Sequence, residues 1–235
     1  MTGDRQHIVV IGGTSGIGLA SAKALLERGA AVTIVGRDAE RLRSALEDLG
    51  GGAAGRVADA TERAAIDALF SRIAPIDHLV LAASGGAGAG LLPDIREDGL
   101  RRGFEAKFWV HWHAAQAVLP HLAARGSITF ITAASSRLAN PGTSGLAAIN
   151  GALERMVPTL ARELAPRRVN AVSPGVIGTA WWADKPAAMF ETMAGKAPLG
   201  RAGTASEVAD AVTFLIGNEF VTGVVLDVDG GLHLT

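Results

Sequence analysis

Short, continuously apolar runs alternate with longer Ala/Leu-rich segments along the chain, which is the pattern of βαβ units and a parallel sheet. Strands are predicted over His7–Ile11, Ala31–Val35, Gly55–Ala58 and Asp77–Leu81, separated by helices over Ile17–Arg28, Glu40–Leu49 and Ala64–Ile73. A longer helix over Leu100–Ala124 then leads to a strand over Ser127–Thr132. Next come a helix near Gly142–Leu164, a strand over Val169–Ser173, a helix over Ala205–Ile216 and a last strand over Gly223–Val228. Runs such as Ile8-Val9-Val10-Ile11 carry no polar alternation, so helices must cover both faces of the sheet. The expected architecture is α/β: one doubly wound, parallel, seven-stranded sheet in a single domain over residues 1–235.

Composition narrows the function classes. The 235 residues hold 22 Lys+Arg against 23 Asp+Glu and no Cys, which leaves no basic stripe for a phosphate backbone and no thiolate for zinc or nucleophilic catalysis. The opening MTGDRQHIVV lacks the apolar stretch of a signal peptide, and no run reaches the roughly 20 apolar residues of a membrane span. The expectation is a cytoplasmic protein with no nucleic-acid or membrane partner. No metal set is expected: His111 and His113 are two apart on one predicted helix and point to different faces.

The first predicted strand ends at Ile11 and gives way to Gly-Gly-Thr-Ser-Gly-Ile-Gly, residues 12–18, opening a helix. Such a turn lets backbone N–H groups approach a pyrophosphate at the positive end of the helix. The spacing Gly12, Gly16, Gly18 resembles the glycine motif of the short-chain dehydrogenase/reductase family, and further motifs follow in order. Asp59-Ala60 resembles the pair that holds the adenine ring. Asn170 with Ser173-Pro174-Gly175 and Thr179 resembles the stretch flanking the nicotinamide, and Val228-Asp229-Gly230-Gly231 the C-terminal signature. The resemblance runs from about residue 7 to 231 and implies a Rossmann fold with a nicotinamide dinucleotide held by Gly12, Thr14, Ser15, Gly16, Ile17 and Gly18. Asp59, Ala60, Ala82 and Asn150 would continue the cofactor site, with Pro174, Gly175, Ile177 and Thr179 on its far side.

At the end of the second strand, where an acidic residue would bind both ribose hydroxyls of NAD, stand Gly36 and Arg37. A guanidinium suits a 2′-phosphate, so NADP(H) is preferred and NAD(H) stays possible. Alternatively Arg37 is a solvated cation paired with Glu40 or Asp38, and Asp38 could serve a ribose hydroxyl.

The resemblance breaks at the catalytic positions. Family members use a Tyr as acid/base, a Lys four residues later, a Ser that orients the carbonyl oxygen and an Asn that anchors a water chain. Here Leu146 stands at the tyrosine, Asn150 at the lysine, Ala133 at the serine and Lys107 at the asparagine, and the chain has no tyrosine at all. Ketone reduction through a tyrosine is excluded, since alkoxide formation needs a proton donor that Leu146 cannot supply. The lysine and asparagine are interchanged in character, which suggests that Lys107 restores the missing ammonium from the opposite helix while Asn150 bonds a ribose hydroxyl. The bland account makes Lys107 a surface lysine and Asn150 a filler.

Three readings follow. One is an NADP(H) oxidoreductase with unconventional hydride chemistry on an iminium or activated C=C acceptor, the acid coming from Lys107, His111, His113, Thr132, Ser135 or Ser136. The second is a catalytically silent NADP(H)-binding subunit or sensor. The third is a non-redox enzyme on the same scaffold.

Residues 178–201 match the family's variable substrate lid, and Trp181, Trp182, Met189, Phe190 and Met193 suggest an apolar substrate or the packing of a short helix pair. Lys185 and Lys196 are expected to face solvent. Phe104, Phe108, Trp109 and Trp112 stripe one helix as core or interface; the resemblance implies a homodimer or homotetramer built on it.

Overall fold

The computed structural model describes residues 5–235; residues 1–4, the start of the stretch read above for a signal sequence, lie outside them. Seven parallel strands form the main sheet: β1 (His7–Ile11), β2 (Ala31–Gly36), β3 (Ala53–Val57), β4 (Ile76–Leu81), β5 (Leu122–Ile131), β6 (Arg168–Pro174) and β7 (Val225–Val228). Their spatial order is β3-β2-β1-β4-β5-β6-β7, so the winding reverses between β1 and β4, where α/β sheets of this kind open a crevice beyond the carboxyl ends of the strands. The central strands pair without slippage, Ile8 to Ile11 lying opposite His78 to Leu81 on one side and Val32 to Val35 on the other.

Helices α1 (Gly16–Glu27), α2 (Ala39–Asp48) and α8 (Ala205–Gly217) cover one face, packing Ala22, Leu25, Leu42 and Val212 on Ile8, Val10 and Ile34. The other face is covered by α3 (Arg63–Ile73), α5 (Val110–Val118) and α6 (Ser144–Glu163), which bury Ile66, Phe70, Val118 and Leu153 against Val9, Leu79, Ile128 and Phe130. Each fully buried side chain of this size stabilises the fold by roughly 1.5–3 kcal/mol, and the burial of both faces explains the unbroken apolar strands.

The long helix departs from the sequence expectation at both ends and in its middle. It begins with α4 (Glu97–Gly103), widens into a π-helical turn over Phe104–Trp109, and closes as α5 at Val118, six residues short of the expected Ala124. Pro120 cannot continue the helix, and Leu122 joins the sheet opposite Ile76, so β5 starts five residues before the expected Ser127. Helix-forming Ala123 and Ala124 are drawn into a strand by this pairing, which resumes in regular register at Ser127 opposite His78. A small second ladder pairs Ile177–Gly178 with Gly203–Thr204 and frames the segment between them, which holds α7 (Ala187–Gly195). No helix among the described residues is long and apolar enough to cross a membrane.

Candidate cofactor and active site

The glycine turn leaves β1 at the crevice. Gly12 and Gly16 take φ of +80° and +51°, in the left-handed region that favours glycine. A β-carbon on Gly12 would stand 2.7 Å from the Ala83 nitrogen, so the turn closes directly on the loop after β4. The Gly12 and Gly13 amides bond to Val35 O at 2.9 and 3.3 Å, whereas Ser15, which opens α1, makes no side-chain cap. The first-turn N–H groups of α1 are therefore free to face an anion in the crevice. Thr179 approaches from the far side, its β-carbon 3.6 Å from where one on Gly16 would be, which brings the two halves of the expected cofactor site together.

At the end of β2 the Thr14 methyl fills the space that a β-carbon on Gly36 would take. Asp38 accepts the Arg41 N–H at 2.9 Å as the cap of α2, and Glu40 pairs with Arg43 at 3.0 Å. Neither is paired with Arg37, which is exposed and makes no ion pair among the described residues. Asp59 accepts the Thr61 amide and hydroxyl at 3.0 and 2.8 Å; these bonds hold its carboxyl below the usual range, with a smaller contribution from the Arg37 charge.

Two residues of the motif after β6 have side chains with structural partners. Asn170 is buried and bridges chain segments, donating to Val221 O at 3.0 Å and accepting from Val224 N at 3.2 Å, so its side chain ties the approach to β7 onto β6. The Ile177 side chain is packed in the core, leaving only its main chain to offer.

The expected catalytic positions lie where the π turn and α6 meet the end of β5. Gly103 permits this packing: a β-carbon there would come within 2.5 Å of Ala87 O and 2.8 Å of the Ile149 side chain on α6. Lys107 sits inside the π turn, 6% exposed, and is no surface lysine. Its Nζ donates to Thr132 O at 3.1 Å, the one acceptor it has among the described residues. Burial pushes its ammonium down to about 8, while the charge of Glu154 works to raise it.

Asn150, 4% exposed, donates through Nδ2 to Leu146 O at 2.9 Å and Ser135 Oγ at 3.2 Å, and its buried Oδ1 has no partner. The Asn150 carbonyl oxygen and the remaining N–H groups of Lys107 thus have no hydrogen-bond partner among the described residues. Ala133 and half-buried Leu146 present only hydrocarbon.

His111, one turn beyond Lys107, is fully buried and its Nε2–H donates to Ala83 O at 3.1 Å. Burial, then the Lys107 charge, hold it down to about 3, so it is a neutral donor that fixes the loop after β4. His113 is half-buried beside the Trp109 ring, 5.8 Å between centroids.

The segment over 178–201 divides its aromatic residues. Trp182, Phe190 and Met193 pack with Val176, Ala194 and Leu232 in a small separate cluster, while Trp181 and Met189 are exposed. The Trp181 indole nitrogen would lie 3.9 Å from a β-carbon on Gly86, so the segment reaches across to the loop after β4. Lys185, expected to face solvent, is half-exposed; its Nζ sits 3.3 Å above the Trp181 ring, held by the Trp181 carbonyl. Lys196 is exposed. Asp227, Asp229 and His233 form a carboxylate–imidazole group near the C-terminus. Asp227 is taken by Arg137 and Asp229 by the Gly231 and His233 amides, so the group is internally satisfied.

Sequence reasoning did not foresee the π turn, the place of Glu154 behind Thr132, or the His111–Ala83 bond. Nothing in the residues 104–109 announces a widened turn.

A doubly wound sheet with an open glycine turn at its winding reversal, and unpartnered groups suited to a ribose across from it, defines a nicotinamide-dinucleotide oxidoreductase scaffold. The chain belongs to the short-chain dehydrogenase/reductase family: the family model described as Enoyl-(Acyl carrier protein) reductase matches residues 12–233. It is 34% identical over 240 residues to a 3-oxoacyl-[acyl-carrier-protein] reductase of Bos taurus, covering 96% of this chain and 97% of that one. Among solved structures, a small-chain dehydrogenase in complex with NADPH is 34% identical with a TM-score of 0.85, covering 99% of this chain and 100% of that one. A short-chain oxidoreductase of Pseudomonas aeruginosa PAO1 containing an atypical catalytic center is 28% identical with a TM-score of 0.89, covering 97% of each chain.

Proposed function

We propose that this protein is an NADP(H)-dependent oxidoreductase whose acceptor is activated before it binds, an iminium or a conjugated C=C in an apolar substrate. The observation that carries the reading is Lys107: a buried ammonium with one protein acceptor among the described residues, on a π turn that packs against α6, where the Asn150 carbonyl oxygen is unpartnered. A π turn inside an α-helix is a frequent mark of a functional site.

Gly12, its own amide spent on Val35 O, shapes the turn by its positive φ, and Thr14, Ser15, Gly16, Ile17 and Gly18 line the pyrophosphate with main-chain N–H groups. Arg37 takes the 2′-phosphate, and Asp59, Ala60 and Ala82 border the adenosine. Lys107 and Asn150 hold the nicotinamide ribose, while Pro174, Gly175, Thr179 and the Ile177 main chain border the nicotinamide. NADPH in this site supplies the hydride, as fits a relative solved as its NADPH complex.

Leu146 and Ala133 offer no proton to a carbonyl oxygen, which disfavours plain ketones. An iminium needs none, because hydride addition leaves a neutral amine. For a conjugated C=C, we assign Lys107 as the acid that protonates the enolate carbon, and the 178–201 segment, with Trp181 exposed and Trp182 packed beneath it, covers the substrate. A solved relative is likewise described as containing an atypical catalytic center, which supports a departure from the usual residues. We place the subunits in a homodimer or homotetramer through the Phe104, Phe108, Trp109 and Trp112 face, where both tryptophans are exposed; light scattering that gave a monomer at micromolar concentration would contradict this.

The test is a fluorescence titration with NADPH and NADH, following energy transfer from the four tryptophans, then turnover of cyclic imines and enoyl compounds. Tight NADPH binding with turnover is the expected result. Tight binding with no turnover of either class favours the silent sensor, which the hydrocarbon at Leu146 and Ala133 also suits. Binding of neither dinucleotide overturns the proposal.

A further inference from the structure

We infer that Glu154 is the positioning residue that keeps Lys107 charged, acting across Thr132, and that Arg137 and Asp227 hold it in place. The inference rests on the reading of Lys107 above. Lys107 and Glu154 are both buried, on different helices, and are not bonded to each other. They meet on the two ends of one residue: the Thr132 carbonyl accepts from Lys107 Nζ at 3.1 Å and the Thr132 hydroxyl donates to Glu154 Oε1 at 2.8 Å. Thr132 is itself buried, so the link lies out of bulk water, where a charge acts at greater strength.

On its other side Glu154 faces Arg137, with Nε 3.5 Å from Oε2, and Arg137 in turn grips Asp227 through both terminal nitrogens. The carboxylate is therefore fixed between a hydroxyl and a guanidinium and cannot turn away from Lys107.

Every titratable group bearing on Lys107 has a definite sign. Glu154 on α6 favours the ammonium, as the downward effect of burial is partly offset by its charge. His111 on α5 is neutral and adds no charge of its own. Arg137 is shielded behind Glu154 and is itself balanced by Asp227. Glu154 is thus the only counter-charge to Lys107 in this corner among the described residues. Its removal leaves a buried ammonium unsupported, a group that sheds its proton readily.

The experiment is NMR titration of the full chain labelled with 13C at lysine Cε, which is tractable because the chain has four lysines. Lys107 is assigned by its loss in Lys107→Met. The parent is expected to show one midpoint near 8, and Glu154→Gln, which keeps an acceptor for Thr132, is expected to lower it by at least about one pH unit. Glu154→Asp is expected to recover most of the shift, while the exposed control Glu163→Gln leaves it in place. An unmoved midpoint in folded Glu154→Gln overturns the inference. Should that variant not fold, the parent decides, since a midpoint below about 6, the range of buried lysines without a counter-charge, also overturns it. NADPH titration of Lys107→Met reports separately on the functional reading: unchanged affinity there sinks that reading and leaves the lysine titration standing.

Discussion

Asp38 accepts the Arg41 backbone N–H at 2.9 Å and so stands as the cap of α2, which leaves Arg37 as the free charged group at the end of β2. A capped carboxylate is a poor partner for ribose hydroxyls, and a neighbouring unpaired guanidinium is a good one for a phosphate. Arg37→Asp is expected to shift the NADPH-to-NADH affinity ratio toward NADH by about tenfold or more, the worth of one charge-assisted contact. Asp38→Ala is expected to cost about 1 kcal/mol of stability through the lost cap and to leave the ratio alone. Paired fluorescence and urea titrations check both; an unchanged ratio in Arg37→Asp would remove the 2′-phosphate assignment.

Gly103 is the hinge of the catalytic corner, since a β-carbon there meets Ala87 O and the Ile149 side chain. Gly103→Ala is expected to destabilise the fold by about 1–3 kcal/mol as an overpacked contact. The strain falls on the π turn that carries Lys107, so NADPH affinity should drop with it. Gly29→Ala, in open space but at positive φ, is the control: it should cost stability without touching the cofactor.

His78 and His111 are both buried and both neutral in the fold, pushed down to about 4 and about 3, chiefly by burial. Their folded values lie below the unfolded value near 6.5, so as pH falls the unfolded chain takes up protons first. Stability is full above about pH 6.5 and is lost through the interval down to about pH 4, by roughly 3 kcal/mol for His78 alone. Urea denaturation at pH 8, 6 and 4.5 checks the slope, and a flat profile would mean that these rings are more solvated than their surroundings indicate.

If Lys107 supplies the missing ammonium, the corner lacks only its hydroxyls. Leu146→Tyr combined with Ala133→Ser is expected to create measurable ketone reduction with NADPH, and Lys107→Met in that background to abolish it. Steady-state assay on a simple aryl ketone decides the matter. No turnover, with NADPH affinity intact, would mean that Lys107 does not act on the reacting end of the site.

Much of this molecule was legible in its residues. The unbroken apolar strands define a sheet covered on both faces, and the sheet with its winding reversal is present in the fold. Boundaries failed where partners far away in sequence decide them, as when Ile76 draws Leu122 into β5 against the helical preference of Ala123 and Ala124. The candidate site divided in the same way. Gly12, Gly16 and Gly36 are readable because their role is local. The side-chain bonds of Asn170 were not readable, because its partners, Val221 and Val224, lie more than fifty residues on. Thr132 stood only among the candidate acids and its link to Glu154 carried no signal, since only the fold puts a carboxylate behind a threonine behind a lysine.

The exchange of Lys107 and Asn150 also constrains how such a sequence could be reached. Both side chains are buried, on elements that pack together, and Glu154 is the single carboxylate serving that corner among the described residues. Asn150→Lys introduced while Lys107 is present would bury two ammonium groups against one counter-charge, a state that unfolds or neutralises. Lys107→Asn introduced first leaves two amides, which the corner can hold. A lineage passing between the family's arrangement and this one therefore travels through the uncharged intermediate, and the order of the two replacements is dictated by electrostatics.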